Sequence, residues 1–193
     1  MQLLKNITNM RENNSMKKEI EVFDYANEIM KALKAGVFVT TKAEDKVNSM
    51  TISWGTLGIE WGKTIFTIFV RENRFTKQQL EKNPEFTVNI PIGEFDRKIL
   101  GVCGTKSGHT TDKISELNLS LEEAKSISVP GIKELPLTLE CKVIYKQKQD
   151  KNEITEENLK ACYPQDVDGS FHGANRDFHT AYYGEIVSAY IIE

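Results

Sequence analysis

Two arginines three residues apart, Arg71 and Arg74, stand between an apolar run and a helix-forming segment in VRENRFTKQQ. Guanidinium groups beside the unpaired N–H groups of a helix start can hold one phosphate. Phe75 and Thr76 follow directly. Thr76 with Gln79 three residues on has capping-box spacing, so Thr76 is expected to cap the helix. The same segment also suits a solvated loop before an ordinary capped helix. A second segment, CGTKSGHTTDKI from Cys103, has parts that suit an anion or a polar chain. Gly104 and Gly108 allow close backbone approach, Thr105 and Ser107 bring hydroxyls, and Lys113 brings a cation near a helix start. Alone it too reads as a plain loop.

Ahead of both in the chain lies SMTISWGTLGIEW, Ser49 to Trp61. As a strand it sends Met50, Ile52 and Trp54 one way and Ser49, Thr51, Ser53 and Gly55 the other. A wet face would ordinarily carry Lys, Glu or Gln; this one carries only small side chains. A planar ring fits along such a face, with backbone groups bonding its heteroatoms and a phosphate tail reaching Arg71, Arg74 and Thr76. Trp54 falls on the apolar side and is expected in the core, as an alternative to stacking on a ring; Trp61 has the same two readings.

The elements that must position these residues follow from periodicity. Residues 1–20 are polar and Asn-rich and read as a mobile leader, with Met16 a possible start; residues 21–193 read as one domain. The stripe Val22, Tyr25, Ala26, Ile29, Met30 and Leu33 predicts a helix, closed by Gly36. Strands are expected at Val37–Thr41, along the return through Ser49, and at Thr64–Val70, which is apolar on both faces and so central. FTVNIP from Phe86 and LTLECKVIY from Leu137 alternate, the latter with Leu137, Leu139, Cys141, Val143 and Tyr145 inward. Helices are expected over Glu94–Val102, from near Thr111, and over Glu153–Ala161, and GEIVSAYII closes the chain as a strand. Strands without regular βαβ alternation imply a mainly β domain on an antiparallel sheet or barrel with added helices.

Composition narrows the function. With a net charge of −3 and scattered basic residues, nucleic acid is not the expected partner. No apolar run approaches a bilayer span, and the N-terminus lacks a signal-peptide core, so the cytoplasm is the expected location. The three cysteines, Cys103, Cys141 and Cys162, form no C-x-x-C pair. His109, His172 and His179 have no metal-binding spacing, so no metal is expected. There is no hydrolase elbow and no Walker-type loop.

The ordered motifs N-x-M-T-x-x-W-G at 48–55, R-x-x-R-F-T at 71–76, C-G-x-x-S-G-x-x-x-D-K at 103–113 and Y-x-G-E-I-V at 182–187 resemble the flavin reductase-like family. The resemblance covers about Val37 to Ile191. It implies an FMN-binding, homodimeric, Greek-key split barrel. Asn48 to Gly55 (Asn48, Ser49, Met50, Thr51, Ile52, Ser53, Trp54 and Gly55) would line the flavin ring. Arg71, Arg74, Phe75 and Thr76 would hold the phosphate. Ser107, Gly108 and Lys113 would close the tail end, with Cys103, Gly104 and Thr105 near the ring or ribityl chain. His179 matches a histidine that many relatives carry before the final strand, and is either functional or structural. His109 departs from the arginine common at its position. The implied activity is hydride transfer from NADH or NADPH to the flavin, with onward electron transfer. The alternative is a flavoredoxin-like carrier that trades electrons with a redox protein partner, and a flavin-free binding module is a third reading. Hydride transfer to a flavin needs no side-chain acid or base, which agrees with the absence of a catalytic triad.

Overall fold

The computed structural model describes residues 15–168 and 174–193. The part of the expected leader before residue 15, and His172, lie outside the described residues. Lys17–Glu19 form strand β1, which pairs antiparallel with the chain's last strand, so the end of the expected leader belongs to the sheet.

The helical stripe folds as a 3-10 turn, Val22–Tyr25, that runs into helix α1, Ala26–Ala35. Ile29 and Leu33 are its buried contacts, while Met30 stays exposed. Gly36 ends it at φ 120°, a conformation that disfavours any side chain, and its N–H bonds the carbonyls of Ala32 and Leu33.

The main sheet is antiparallel throughout. Its strands are β2 (Val37–Ala43), β3 (Lys46–Ile52), β4 (Gly55–Glu60), β5 (Lys63–Arg71), β6 (Glu85–Ile90), β9 (Leu137–Lys148) and β10 (His179–Ile192). Their order is β3-β2-β6-β9-β10-β5-β4, with β1 alongside β10; β7 (Leu121–Glu122) and β8 (Gly131–Ile132) pair separately. The Thr64–Val70 run is therefore one strand from an end, not central. Its double-sided burial comes from curvature. β3 and β4 stand at opposite ends of the order, yet only Ser53 and Trp54 separate them in the chain. Two residues reach only about 7 Å, so the sheet must curl until its ends meet at this corner. The core inside the curl includes Phe66, Ile68, Phe86, Val88, Leu137, Leu139 and Tyr182. A second cluster of Phe38, Ile99, Cys103, Leu119, Ile132 and Leu135 lies under the helices on the other face.

Two expectations about β9 change. Leu137, Leu139 and Cys141 are fully buried, but so are Thr138 and Glu140, while Tyr145 is exposed. The first half is covered on both faces because the Glu140 carboxylate accepts the Lys125 and Ser126 amides, each at 2.7 Å. The helix expected over Glu94–Val102 lies further on. Helix α3 spans Lys98–Thr105, because the Asp96 carboxylate accepts the Lys98 N–H at 2.9 Å and sets its start. Cys103, Gly104 and Thr105 are thus helical instead of forming a turn. Helix α2 (Phe75–Lys82), α4 (Lys113–Glu116) and α5 (Glu156–Cys162) complete the framework. Among the described residues no helix is long and apolar enough to cross a membrane.

Candidate functional site

The corner where the sheet ends meet is also where the motif residues converge. A cleft of about 150 Å³ is walled by Met50, Thr51, Ile52, Ser53 and Trp54 of the corner, by Phe69 and Arg71 of β5, by Arg74, and by His179. A neighbouring cleft of about 390 Å³ shares Ser53, Trp54 and Phe69 with it and adds Met30, Leu33, Lys34, Gly55 and Gln149. Together they reach the ~300–1,000 Å³ typical of small-molecule sites.

The strand bends at Ser53, so the alternation that would bury Trp54 stops at Ile52. Trp54 is 43% exposed, a correction to its expected core position, and faces His179 with ring centroids 5.1 Å apart. Trp61 is also exposed and contacts Tyr145 edge-on at 5.9 Å. The small-residue face has its own neighbours. Ser49 is fully buried, its hydroxyl 2.8 Å from that of Thr40. Thr51 donates to the Leu100 carbonyl of α3 at 2.6 Å, and a side chain at Gly104 would touch it. Much of that face is therefore covered by the chain's own helix, and the opening lies at its Trp54 end.

The two arginines part company. Arg71 donates to the carbonyls of Asn175 (3.0 Å), Asp177 (2.5 Å) and Cys162 (3.0 Å), and lies 5.1 Å over the Tyr163 ring. It ties the segment before β10 to the end of β5. Arg74 makes no side-chain hydrogen bond among the described residues. Burial pulls its guanidinium below its ordinary value, Asp177 opposes this, and the like charge of Arg71 adds to it. Arg74, not Thr76, stands at the N-cap of α2. Thr76 is buried inside the first turn, where its hydroxyl accepts from Asn48 Nδ2 at 3.1 Å, and that bond displaces the capping role. Gln79 is likewise inward, accepting from Thr41 and donating to the Lys46 carbonyl.

Two lysines, Lys113 and Lys46, add positive charge near Arg74. Lys113 is 3% exposed, and its ammonium makes no hydrogen bond or ion pair among the described residues. Burial pulls its ammonium down to about 8; Arg74 and Lys46 push the same way, and Cys103 opposes them. Burial also pushes the Cys103 thiol up to about 11, so it is a neutral packing group at neutral pH. Lys46 donates to the Gly108 carbonyl at 2.8 Å and lies 4.4 Å over the Phe75 ring. Gly108 must be glycine, since a Cβ there would come within 2.4 Å of Asn48 Oδ1. Thr105 and Ser107 turn to their own loop: Thr105 donates to the Gly101 carbonyl, and Ser107 Oγ accepts the His109 N–H. His109 packs against Phe75 at 5.0 Å.

His179 has a fixed tautomer. Its backbone N–H donates to Gln149 Oε1 at 3.1 Å, which identifies that atom as the oxygen. Tyr163 donates its hydroxyl hydrogen to the same oxygen at 2.8 Å. The Tyr163 oxygen must then accept from His179 Nδ1, 2.8 Å away. The Nε2 lone pair is left free. Burial, then Arg71 and Arg74, pulls the imidazole down to about 4, so it is neutral at physiological pH.

Lys46, Gln149 and Tyr163 escaped the sequence reading. Lys46 looks like any polar turn residue, and Gln149 and Tyr163 reach the site only through the pairing of β9 with β10. Among the described residues no cluster of His, Cys, Asp or Glu could hold a metal.

The unpaired cations and the corner cleft suit a planar ligand with an anionic tail, which is what a flavin phosphate is. Residues 30–193 match the family model for the flavin reductase like domain. An uncharacterised protein from Archaeoglobus fulgidus is 30% identical over 55% of this chain, which spans 59% of that relative's length. The flavoredoxin from Methanosarcina acetivorans superposes with a TM-score of 0.58 at 22% identity, over 82% of this chain and 68% of its own. An FMN-binding domain of a flavin reductases-like enzyme from Shewanella baltica gives 0.60 at 15% identity, over 93% of this chain and 78% of its own. These two share the fold.

Proposed function

The chain belongs to the flavin reductase-like family, and on that premise we propose that it is an FMN-binding oxidoreductase that takes reducing equivalents from NADH or NADPH. The observation that carries this reading is the groove's cationic end. Among the described residues the buried Lys113 ammonium and the Arg74 guanidinium make no hydrogen bond or ion pair, and Lys46 is close enough for its charge to act on Lys113. An unpaired buried cation costs free energy unless a ligand supplies the opposite charge, so a phosphate is the natural occupant. FMN is also the flavin named for the Shewanella relative.

Bound here, the flavin would supply the redox chemistry, accepting two electrons from a nicotinamide and passing them onward. The chain's own residues do the rest. Arg74 and Lys113 hold the phosphate. The backbone from Met50 to Trp54 meets the ring, and Trp54 with Phe69 shields it from water. His179 offers Nε2 only as an acceptor, and its low pKa keeps a second positive charge away from the ring. Arg71 holds the wall that carries Tyr163, and through it the imidazole.

The test is a visible spectrum of the purified chain loaded with FMN, followed by anaerobic NADH or NADPH. A flavin band that bleaches supports the reductase. A band that persists with both nucleotides points to an electron carrier, and no retained flavin removes the reading. A homodimer goes with this proposal, since Ile59, Trp61 and Tyr145 form an exposed apolar face of the sheet. Light scattering that finds a monomer at micromolar concentration would remove it.

A further inference from the structure

Family members can in principle hold a flavin mononucleotide or a flavin adenine dinucleotide, and the two differ in what continues beyond the first phosphate. We propose that Lys46 makes this site select the monophosphate, by closing the phosphate end of the groove through its hydrogen bond to Gly108. The inference rests on the flavin reading above.

Lys46 begins β3 at the end opposite Trp54. Six residues of extended strand separate it from Ile52, about 20 Å, the length over which a ring and its phosphate-tipped chain would lie. Its ammonium reaches across to the 103–113 loop and donates to the Gly108 carbonyl at 2.8 Å, over the Phe75 ring at 4.4 Å. The loop is fixed on the other side by the close fit of Gly108 against Asn48 Oδ1 and Phe75. The bridge thus ties β3 to the 103–113 loop beside Lys113, on which the charges of both Lys46 and Arg74 act.

The charge beyond the bridge is of the opposite sign. A hollow that Lys46 also lines includes Glu44, Asp45, Asp112 and Ser115, with Ile114 and Leu121 as apolar neighbours. Glu44 is paired with Lys82 at 2.9 Å, but Asp45 pairs with nothing among the described residues. The Asp112 carboxylate accepts from Ser115 Oγ at 2.7 Å and caps α4. A monophosphate ends among three cations. A dinucleotide must break the Lys46–Gly108 bond and carry its second phosphate toward Asp45 and Asp112, where like charge opposes it.

Isothermal titration of the whole chain with FMN and with FAD tests this. The wild type is expected to bind FMN at least ~30-fold more tightly than FAD, about 2 kcal/mol by the standard conversion. Lys46→Ala and Lys46→Met should each bring that ratio down by roughly tenfold. Both leave the Lys46 carbonyl that Gln79 binds, and thermal unfolding checks that they fold. Equal affinities in the wild type, or an unchanged ratio in both variants, would overturn the bridge and leave the flavin site standing. Failure of the wild type to bind either flavin would overturn the flavin reading and the bridge with it.

Discussion

Arg71 and Arg74 come from one short motif, yet the structure gives them opposite tasks. Every side-chain hydrogen bond of Arg71 among the described residues goes to a backbone carbonyl, of Cys162, Asn175 or Asp177. The half-buried guanidinium of Arg74 makes none among the described residues. The same division runs through the whole site. At the ring end, Thr51, Arg71, Tyr163 and His179 are bonded to the protein itself. At the tail end, the Arg74 and Lys113 side chains make no hydrogen bond or ion pair among the described residues, and only the charge of Asp177 acts on Arg74 from the acidic side. The first region is a finished wall, and the second is half of an ion pair. Polar groups with built-in partners shape a site, and those without them state what it lacks.

Loss of the wall should have the largest effect. Arg71→Ala removes three charge-assisted bonds and should lower unfolding free energy by about 3 kcal/mol, read from denaturant midpoints. If stability holds and only FMN affinity falls, Arg71 is a ligand and the division fails. Lys113→Met should act in reverse, weakening FMN at least tenfold, ~1.4 kcal/mol, without destabilising the empty protein.

Lys113 also sets a pH signature. Its folded value of about 8 lies below the ordinary lysine value of 10.5, so the unfolded chain holds the proton more tightly. Stability of the empty protein should then rise with pH between those values. FMN affinity should fall over the same range, because the phosphate needs the charged ammonium. Both slopes should disappear in Lys113→Met; slopes that survive would place the titration elsewhere. The smallest effect belongs to His179. With a folded value of about 4 against 6.5, it contributes stability at neutral pH that is lost as pH falls between them. Its imidazole carbon shifts by NMR should stay those of a neutral ring, protonated at Nδ1, at pH 6. A ring protonated at Nε2 alone would contradict the Tyr163–Gln149 arrangement, and a charged ring would contradict the effect of burial and the two arginines.

The elements most legible in the sequence were those decided locally. Alternation places Val37–Thr41 and Leu137–Cys141 in strands, and the apolar stripe places Ile29 and Leu33 on a buried helix face. What long-range contacts decide was not legible. The bend at Ser53 exists because two sheet ends meet there, and nothing near Trp54 announces it. Thr76 has a capping spacing, but Asn48, from another strand, takes its hydroxyl. Gly104 makes the end of α3 read as a turn, although the helix that starts beside the Asp96 carboxylate runs on to Thr105. The motifs brought Met50 to Trp54, Arg71, Arg74 and His179 to one cleft, with Lys113 below it. They could not tell Arg71 from Arg74, because that difference lies in carbonyls about a hundred positions away.

The most direct measurement is the affinity of the unmodified protein for FMN beside that for riboflavin, which has the same ring and no phosphate. With two unpaired cations at the tail end, FMN should bind at least ~100-fold more tightly, about 2.7 kcal/mol, and added salt should narrow the gap. Equal affinities would mean that Arg74 and Lys113 await no phosphate, and would contradict the division on which this view of the site stands.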